Sequence, residues 1–360
     1  MTAKTINMLV HTDTVSAALK AAELDAVART DNLGDWEDVS DALLYQAVAY
    51  DSTTIDYRHA YFCSAGWTLQ DASLVLRNDG KPCGLWPLTI GGPFGELCVS
   101  SAGASVLAPV FVPGLSSRTV KKICNRVISF LRELCAKLGV AVPPLEQDAE
   151  PSSGSEGVSE WHQLLLGAGA TTVVRHDLYV DLRSSMSAIR ASFRKSYRPL
   201  INVGLANWFV FEQGQGSANE LVWAEFKDLH RVVSGQSTRS DETWALQFKM
   251  METGHAFLVG LRDPADLRLV GAGFFQCTRD EGLYAVAAYD RSLFAKPLGH
   301  VVQQRAIEIM KARGLRWYRL GERIYRQVHS TSTVKEVTIS EFKQGFASHL
   351  FCRFQFMLPN

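Results

Sequence analysis

The chain lacks the features that mark a special environment. It has no apolar run long enough to cross a bilayer, and its opening, MTAKTINMLVHTDTVSAALK, has no apolar stretch of signal-peptide length. It has no net charge, since 37 Lys and Arg balance 37 Asp and Glu. A balanced molecule has no overall pull toward nucleic acid or an anionic membrane, so any such contact needs a local basic patch. No two of its seven cysteines stand as Cys-x-x-Cys, which argues against a zinc site. An odd, scattered set reads as free thiols in a reducing compartment. The expected location is the cytoplasm, with no membrane span, no metal and no DNA partner. Apolar residues make up 47% of the chain and charged ones 21%, which excludes a disordered protein.

What is present is a chain of 360 residues, long enough for two domains. The first sixty are mixed, with ALLYQAVAY (42–50) reading as a short apolar helix. Asn78-Asp79-Gly80-Lys81 between two β-prone runs is a hairpin signal. Residues 116–138 read as a long helix, capped by Ser116 or Ser117 and closed by Gly139, with VAVPPL a strand after it. EQDAEPSSGSEG is the most linker-like segment, so domains of 1–155 and 156–360 are expected. SMSAIRASFRKSYRPLINVG reads as one helix, and AFLVGLR, LRLVGAGFFQC and GLYAVAAY as three successive strands. A helix from about Gly299 to Arg313 and the strand LRWYRLG follow.

Two segments share one order. SVLAPVFVPGLSSRTVKKICNRVISFLRELCAKLGVAV and AAYDRSLFAKPLGHVVQQRAIEIMKARGLRWYRL each run from a strand through a proline loop into a helix, a glycine and a strand. A hairpin precedes each. That order suggests two similar α/β units.

The second of these segments, with SFRKSYR and ISEFKQGF, resembles the FemAB-type branch of the GNAT acyltransferase superfamily, best over residues 181–350. The resemblance implies an α/β (α+β) fold of tandem GNAT-like domains, each a mixed, largely antiparallel sheet flanked by helices. The N-terminal one is acceptor-side or structural, and the C-terminal one is the acyltransferase. It implies N-acylation of an amine by either of two donors, acyl-CoA or aminoacyl-tRNA, and the reading taken first is transfer of an acyl group other than aminoacyl from acyl-CoA, as co-substrate and not as a tightly bound cofactor. The amine is an amino sugar or another cell-surface glycan precursor, in cell envelope biogenesis. The alternatives are an aminoacyl-tRNA-dependent transferase, with tRNA as partner, and a non-catalytic binder of a phosphorylated ligand.

Candidate residues follow from their chemistry. Lys296 and Gly299 open a helix, where free N–H groups favour a pyrophosphate, although Val301 stands where the family pattern has Gly or Ala. Arg190, Arg194 and Arg198 step by four, which on one helix gives one basic face, with Lys195 beside it. Such a face suits a phosphate-bearing donor or is an exposed basic helix. Glu322 ends a strand, as a general base or an ion-pair partner. His300 is a second base, and His329 a third. In relatives the pair matching Phe342-Lys343 lies at the active cleft. Phe342 and Phe346 would anchor a helix face and hold Lys343 to stabilise an oxyanion or bind phosphate. Lys335 and Tyr289 join Phe342 as substrate contacts. Tyr284, Tyr289, Tyr318 and Tyr325 are candidate proton donors.

Overall fold

The computed structural model describes residues 3–148, 158–326 and 332–359. Most of the linker-like segment, and His329, lie outside the described residues. The chain divides into two compact units, 1–174 with 352–360 and 175–351. The sequence places the boundary after residue 155. The units instead divide inside a strand, and the last nine residues belong to the first unit.

The first unit opens with α1 (Ala3–Ala21), β1 (Ala26–Ala28), α2 (Leu33–Ala42) and α3 (Ser52–Ser64). Residues 43–47 are not helical. Their burial alternates, with Leu43, Tyr45 and Ala47 inside and Leu44 66% exposed, which is an extended period and not a helical one. After β2 (Gln70–Asp71) comes the hairpin β3 (Leu74–Asn78) and β4 (Lys81–Trp86). Its two turn residues, Asp79 (φ 52°) and Gly80 (φ 75°), are both left-handed, as a tight hairpin requires. The small strands β5 (Thr89–Ile90) and β6 (Val99–Ser100) extend β2, and β7 (Val110–Phe111) pairs with β4. Both faces of the hairpin are covered. Leu74, Leu76 and Trp86 meet α4 (Ser117–Leu138), with the Trp86 and Phe130 rings 5.9 Å apart. Val75 and Leu85 meet Trp36 and Val39 of α2. Ser116 caps α4 by accepting from the Thr119 N–H, and Gly139 (φ 68°) ends it. The following strand, β8 (Leu145–Asp148), starts only after Pro143 and Pro144, which lack the N–H groups a ladder needs. Leu145 makes a parallel bridge to Val106. Helix α5 (Glu160–Gly167) packs beside α4, and the strand β9 (Thr171–Asp181) leads into the second unit.

The second unit begins with two short helices where one was expected, α6 (Met186–Ser192) and α7 (Tyr197–Asn207). A continuous helix would drive the Pro199 ring into the carbonyl of Lys195. The break at Phe193–Ser196 lets Phe193 turn inward, 2% exposed, and puts Pro199 in the first turn of α7. The arginines therefore do not share one helix face. Next come β10 (Phe209–Gln213), α8 (Glu220–Ser234), α9 (Asp241–Glu252), β11 (Ala256–Arg262), β12 (Leu269–Cys277), β13 (Glu281–Tyr289), α10 (Gly299–Ala312), β14 (Trp317–Glu322) and α11 (Val334–Gln344). The final strand β15 (His349–Met357) ends in the first unit, where it pairs with β8. The sheet order is β10-β11-β12-β13-β14-β9, antiparallel except for β13 with β14. Helix α10 covers one face through Val302 and Ala306, and α8 covers the other through Trp223 against Phe274.

Candidate active site

The parallel pair β13–β14 is short. Its register runs only from Glu281 opposite Trp317 to Leu283 opposite Arg319. Just past that point each strand shifts register against its other neighbour, β13 at Phe274/Phe275 opposite Val286/Tyr284 and β14 between Arg319 and Gly321. Bulges of this kind bend a strand and re-aim its side chains. The two strands stop pairing here, and α10 connects them.

Several expected residues gather at this point. A Cβ on Gly299 would lie 3.1 Å from the Phe342 ring and 3.6 Å from the Tyr289 ring, so the glycine eases the close approach of Phe342 to the start of α10. No side chain caps that start. Gly321 has φ +111°, open to glycine alone, and a Cβ there would lie 3.0 Å from Lys343 Nζ. The same Nζ sits 5.4 Å from the Tyr284 ring centroid. Burial lowers the pKa of Lys343, and the charge of Asp177 opposes that shift. Tyr284 and Tyr289 hydroxyls are 3.2 Å apart, and Tyr318 donates to Gln303 Oε1 at 2.6 Å. Burial raises the pKa of all three tyrosines, which keeps them protonated.

Lys343 is held by the aromatic frame. Phe346 is fully buried past the end of α11, with its ring 5.3 Å from Phe342, 4.9 Å from Tyr197 and 5.2 Å from Phe193. Tyr197 donates to the Phe342 carbonyl at 3.2 Å and lies so close to Gly345 that a Cβ there would stand 2.1 Å from its ring. His300 meets the rings of Tyr197 and Phe342 at 4.5 and 5.2 Å. Burial and the nearby Arg194 charge push its pKa down to about 4, so it is neutral at pH 7 and a weak base.

The remaining expected residues have partners or surroundings of their own. Glu322 pairs with Arg175 at 3.4 Å. Lys296 lies over the Trp208 ring. Lys335 is exposed in the first turn of α11, and Lys195 is exposed before α7. Arg190 donates to Asn202, Arg198 to the Ala191 carbonyl, and Arg194 to the Glu341 carbonyl and the Tyr197 hydroxyl. Tyr325 stacks on Arg323. The sequence reading missed Tyr197, Gln303 and Asp177. Only Gln303 left a signal, as a polar residue beside the apolar stripe of α10. Among the described residues no three His, Cys, Asp or Glu side chains converge to hold a metal ion. No described helix is long and apolar enough to cross a membrane.

Comparison with known proteins bears on the fold. No family model matches the chain, and no curated protein matches it. Solved structures do. FemX aligns with a TM-score of 0.60 at 12% identity, covering 83% of this chain and 90% of its own. L-PGS from Bacillus licheniformis aligns at 0.52 and 12%, covering 86% and 92%. A conserved protein of unknown function from Bacteroides thetaiotaomicron aligns at 0.55 and 11%, covering 91% and 97%. The mixed, mostly antiparallel α/β fold expected from the FemAB-type resemblance is the fold these structures share with it.

Proposed function

We propose that the chain is an N-acyltransferase that moves an acyl group from acyl-CoA to an amine, in the opening between β13 and β14. The observation that carries this reading is Lys343, a cation fixed beside Gly321 and the Tyr284 ring, next to Phe342, which meets the uncapped start of α10. The FemX-like fold supports it. In this reading the amine nitrogen attacks the thioester carbonyl, and Lys343 stabilises the oxyanion of the tetrahedral intermediate. The carbon–sulfur bond then breaks, and the thiolate takes a proton from Tyr284 or Tyr289. The base is Glu322 in preference to the neutral His300. Arg194 and the start of α10 bind donor phosphate. The acceptor is an amino sugar or a related envelope precursor, and the first unit serves the acceptor side or is structural.

A second reading, an aminoacyl-tRNA donor, draws on the arginines at 190, 194 and 198, half-buried or exposed on the α6–α7 segment. The test is a panel of acyl-CoA thioesters with mixed amines, following free thiol and the mass of the acylated amine. Thiol release that depends on the amine supports the proposal. Co-purifying tRNA with no thiol release favours the second reading. Phosphate-ligand binding without turnover makes the protein a silent binder.

A further inference from the structure

Helix α7 is apolar on both faces. Tyr197, Ile201 and Gly204 point inward, with Trp208 just past the last turn, and all four are buried. A Cβ on Gly204 would stand 2.3 Å from the Val301 side chain of α10, so this face is packed closely. The outward face carries Pro199, Leu200, Val203, Leu205 and Ala206, all exposed. Val203 is 50% exposed, and Phe209, just past the helix, 58%. No charged residue occurs from Pro199 to Phe211. A solvated helix face ordinarily carries charge, and a helix that is hydrophobic all round belongs in a core or in lipid. An apolar face left outward in this way marks a contact surface.

The charge around that face has one sign. No Asp or Glu occurs from Leu182 to Phe211, while Arg190, Arg194, Lys195 and Arg198 all lie before or within the first turn of α7. The three arginines donate to neutral acceptors. Arg190 does so to Asn202 at 2.9 Å, which sets its charge beside Val203. At the other end of α7, Lys296 lies 5.1 Å from the Trp208 ring centroid. The acidic side chains at the margins have cations of their own, Glu341 with Arg323 at 3.5 Å and Glu212 with Arg305 at 3.0 Å. We infer that the outward face of α7 docks on an anionic lipid surface. Leu200, Val203, Leu205 and Phe209 enter the boundary between headgroups and acyl chains, and the flanking cations meet lipid phosphates. Apolar side chains flanked by Lys and Arg suit that boundary. A second copy of the chain fits less well, because a two-fold contact sets the cations of one patch against the same cations of the other. Nucleic acid would meet the cations and gain nothing from the leucines and the valine.

Co-sedimentation of the full chain with vesicles tests this, phosphatidylglycerol-rich vesicles against pure phosphatidylcholine, at low and high salt. The wild type should bind the anionic vesicles at least about tenfold more tightly than the neutral ones, and high salt should shrink the difference. Leu200→Gln with Val203→Gln puts polar side chains at exposed helical positions. The melting temperature should hold, and affinity for anionic vesicles should fall by about tenfold. Hydrogen exchange of the wild type over residues 194–209 should slow when anionic vesicles are added, a readout that needs no variant. Binding to neither kind of vesicle overturns the inference, and so does equal binding to both. Undiminished binding by the double variant, with no slowing over 194–209, overturns the role of α7. Self-association that the double variant abolishes, without vesicle binding, gives the face to a second copy and overturns the inference. Retention of tRNA without vesicle binding gives the cations to nucleic acid and overturns it as well.

Discussion

The two units build the same element and finish it differently. In each, a hairpin precedes a helix and a strand, and that strand makes only a brief parallel contact with an earlier segment. In the first unit the contact is a single bridge, Val106 to Leu145, and in the second it is three residue pairs. The first turn of α4 is closed by its own Ser116, whereas α10 starts without a side-chain cap. The contrast extends to polar groups. In the first unit the buried Arg29 is enclosed by Asp56, Asp71 and Ser52. In the second, Lys343 is partly buried beside Gly321 and the Tyr284 ring, with the charge of Asp177 acting on it. A polar group satisfied within its own unit stabilises the fold.

The comparison can be broken by mutation, and the largest effect should come from the aromatic frame. Phe346→Ala removes a fully buried ring that touches Phe193, Tyr197 and Phe342. It should lower stability by about 3–5 kcal/mol in a denaturant titration, and lower activity by freeing Lys343.

Acid should separate folded from unfolded chains through His300. Its folded pKa is about 4, against an ordinary value of 6.5, so folding disfavours its proton. Its contribution is neutral above pH 6.5 and turns unfavourable as pH falls toward 4, by about 1.4 kcal/mol per pH unit. His230, buried beside Arg239, is also pushed down to about 4 and acts in the same window. His300→Phe should remove about half of the acid sensitivity between pH 6.5 and 4.5, seen as a flatter urea midpoint. An unchanged slope would mean that His300 is better hydrated than its ring contacts imply.

Gly321→Ala puts a Cβ into a backbone region that costs about 1–3 kcal/mol and against Lys343 Nζ. It should cost about tenfold in rate. Equal rates would remove Gly321 from the site. The smallest effect should come from Ser116→Ala, which removes the cap of α4. It should cost about 1 kcal/mol in stability and leave the rate unchanged, since that helix start belongs to structure.

The regular elements were legible because their signals are local. Asn78-Asp79-Gly80 fixes a turn, and Ser116 and Gly139 bracket α4. The Phe342-Lys343 pair was singled out through resemblance, and its catalytic role belongs to the proposal. What failed was arithmetic that ignored a breaker. The steps from Arg190 to Arg198 describe a helix that Pro199 does not permit. Within the apolar run 42–50, residues 43–47 were misread because composition hides period, and their burial alternates, whereas Val48–Tyr50 form a 3-10 turn. Asp177 and Tyr197 reach Lys343 and Phe342 from more than a hundred residues away, a proximity that no local pattern encodes.

The most direct test of the account is Lys343→Met, compared with the wild type at equal thermal stability on the best acyl-CoA donor. The methionine keeps the stem and removes the charge, while Phe342 and Phe346 still anchor the segment. Loss of one preorganised charged donor should cost on the order of 3 kcal/mol in the transition state, or about a hundredfold in rate. Lys343→Arg should restore only part of it. Rates and donor affinities within about twofold of wild type would contradict the account, because the fixed cation would then contribute nothing to the chemistry.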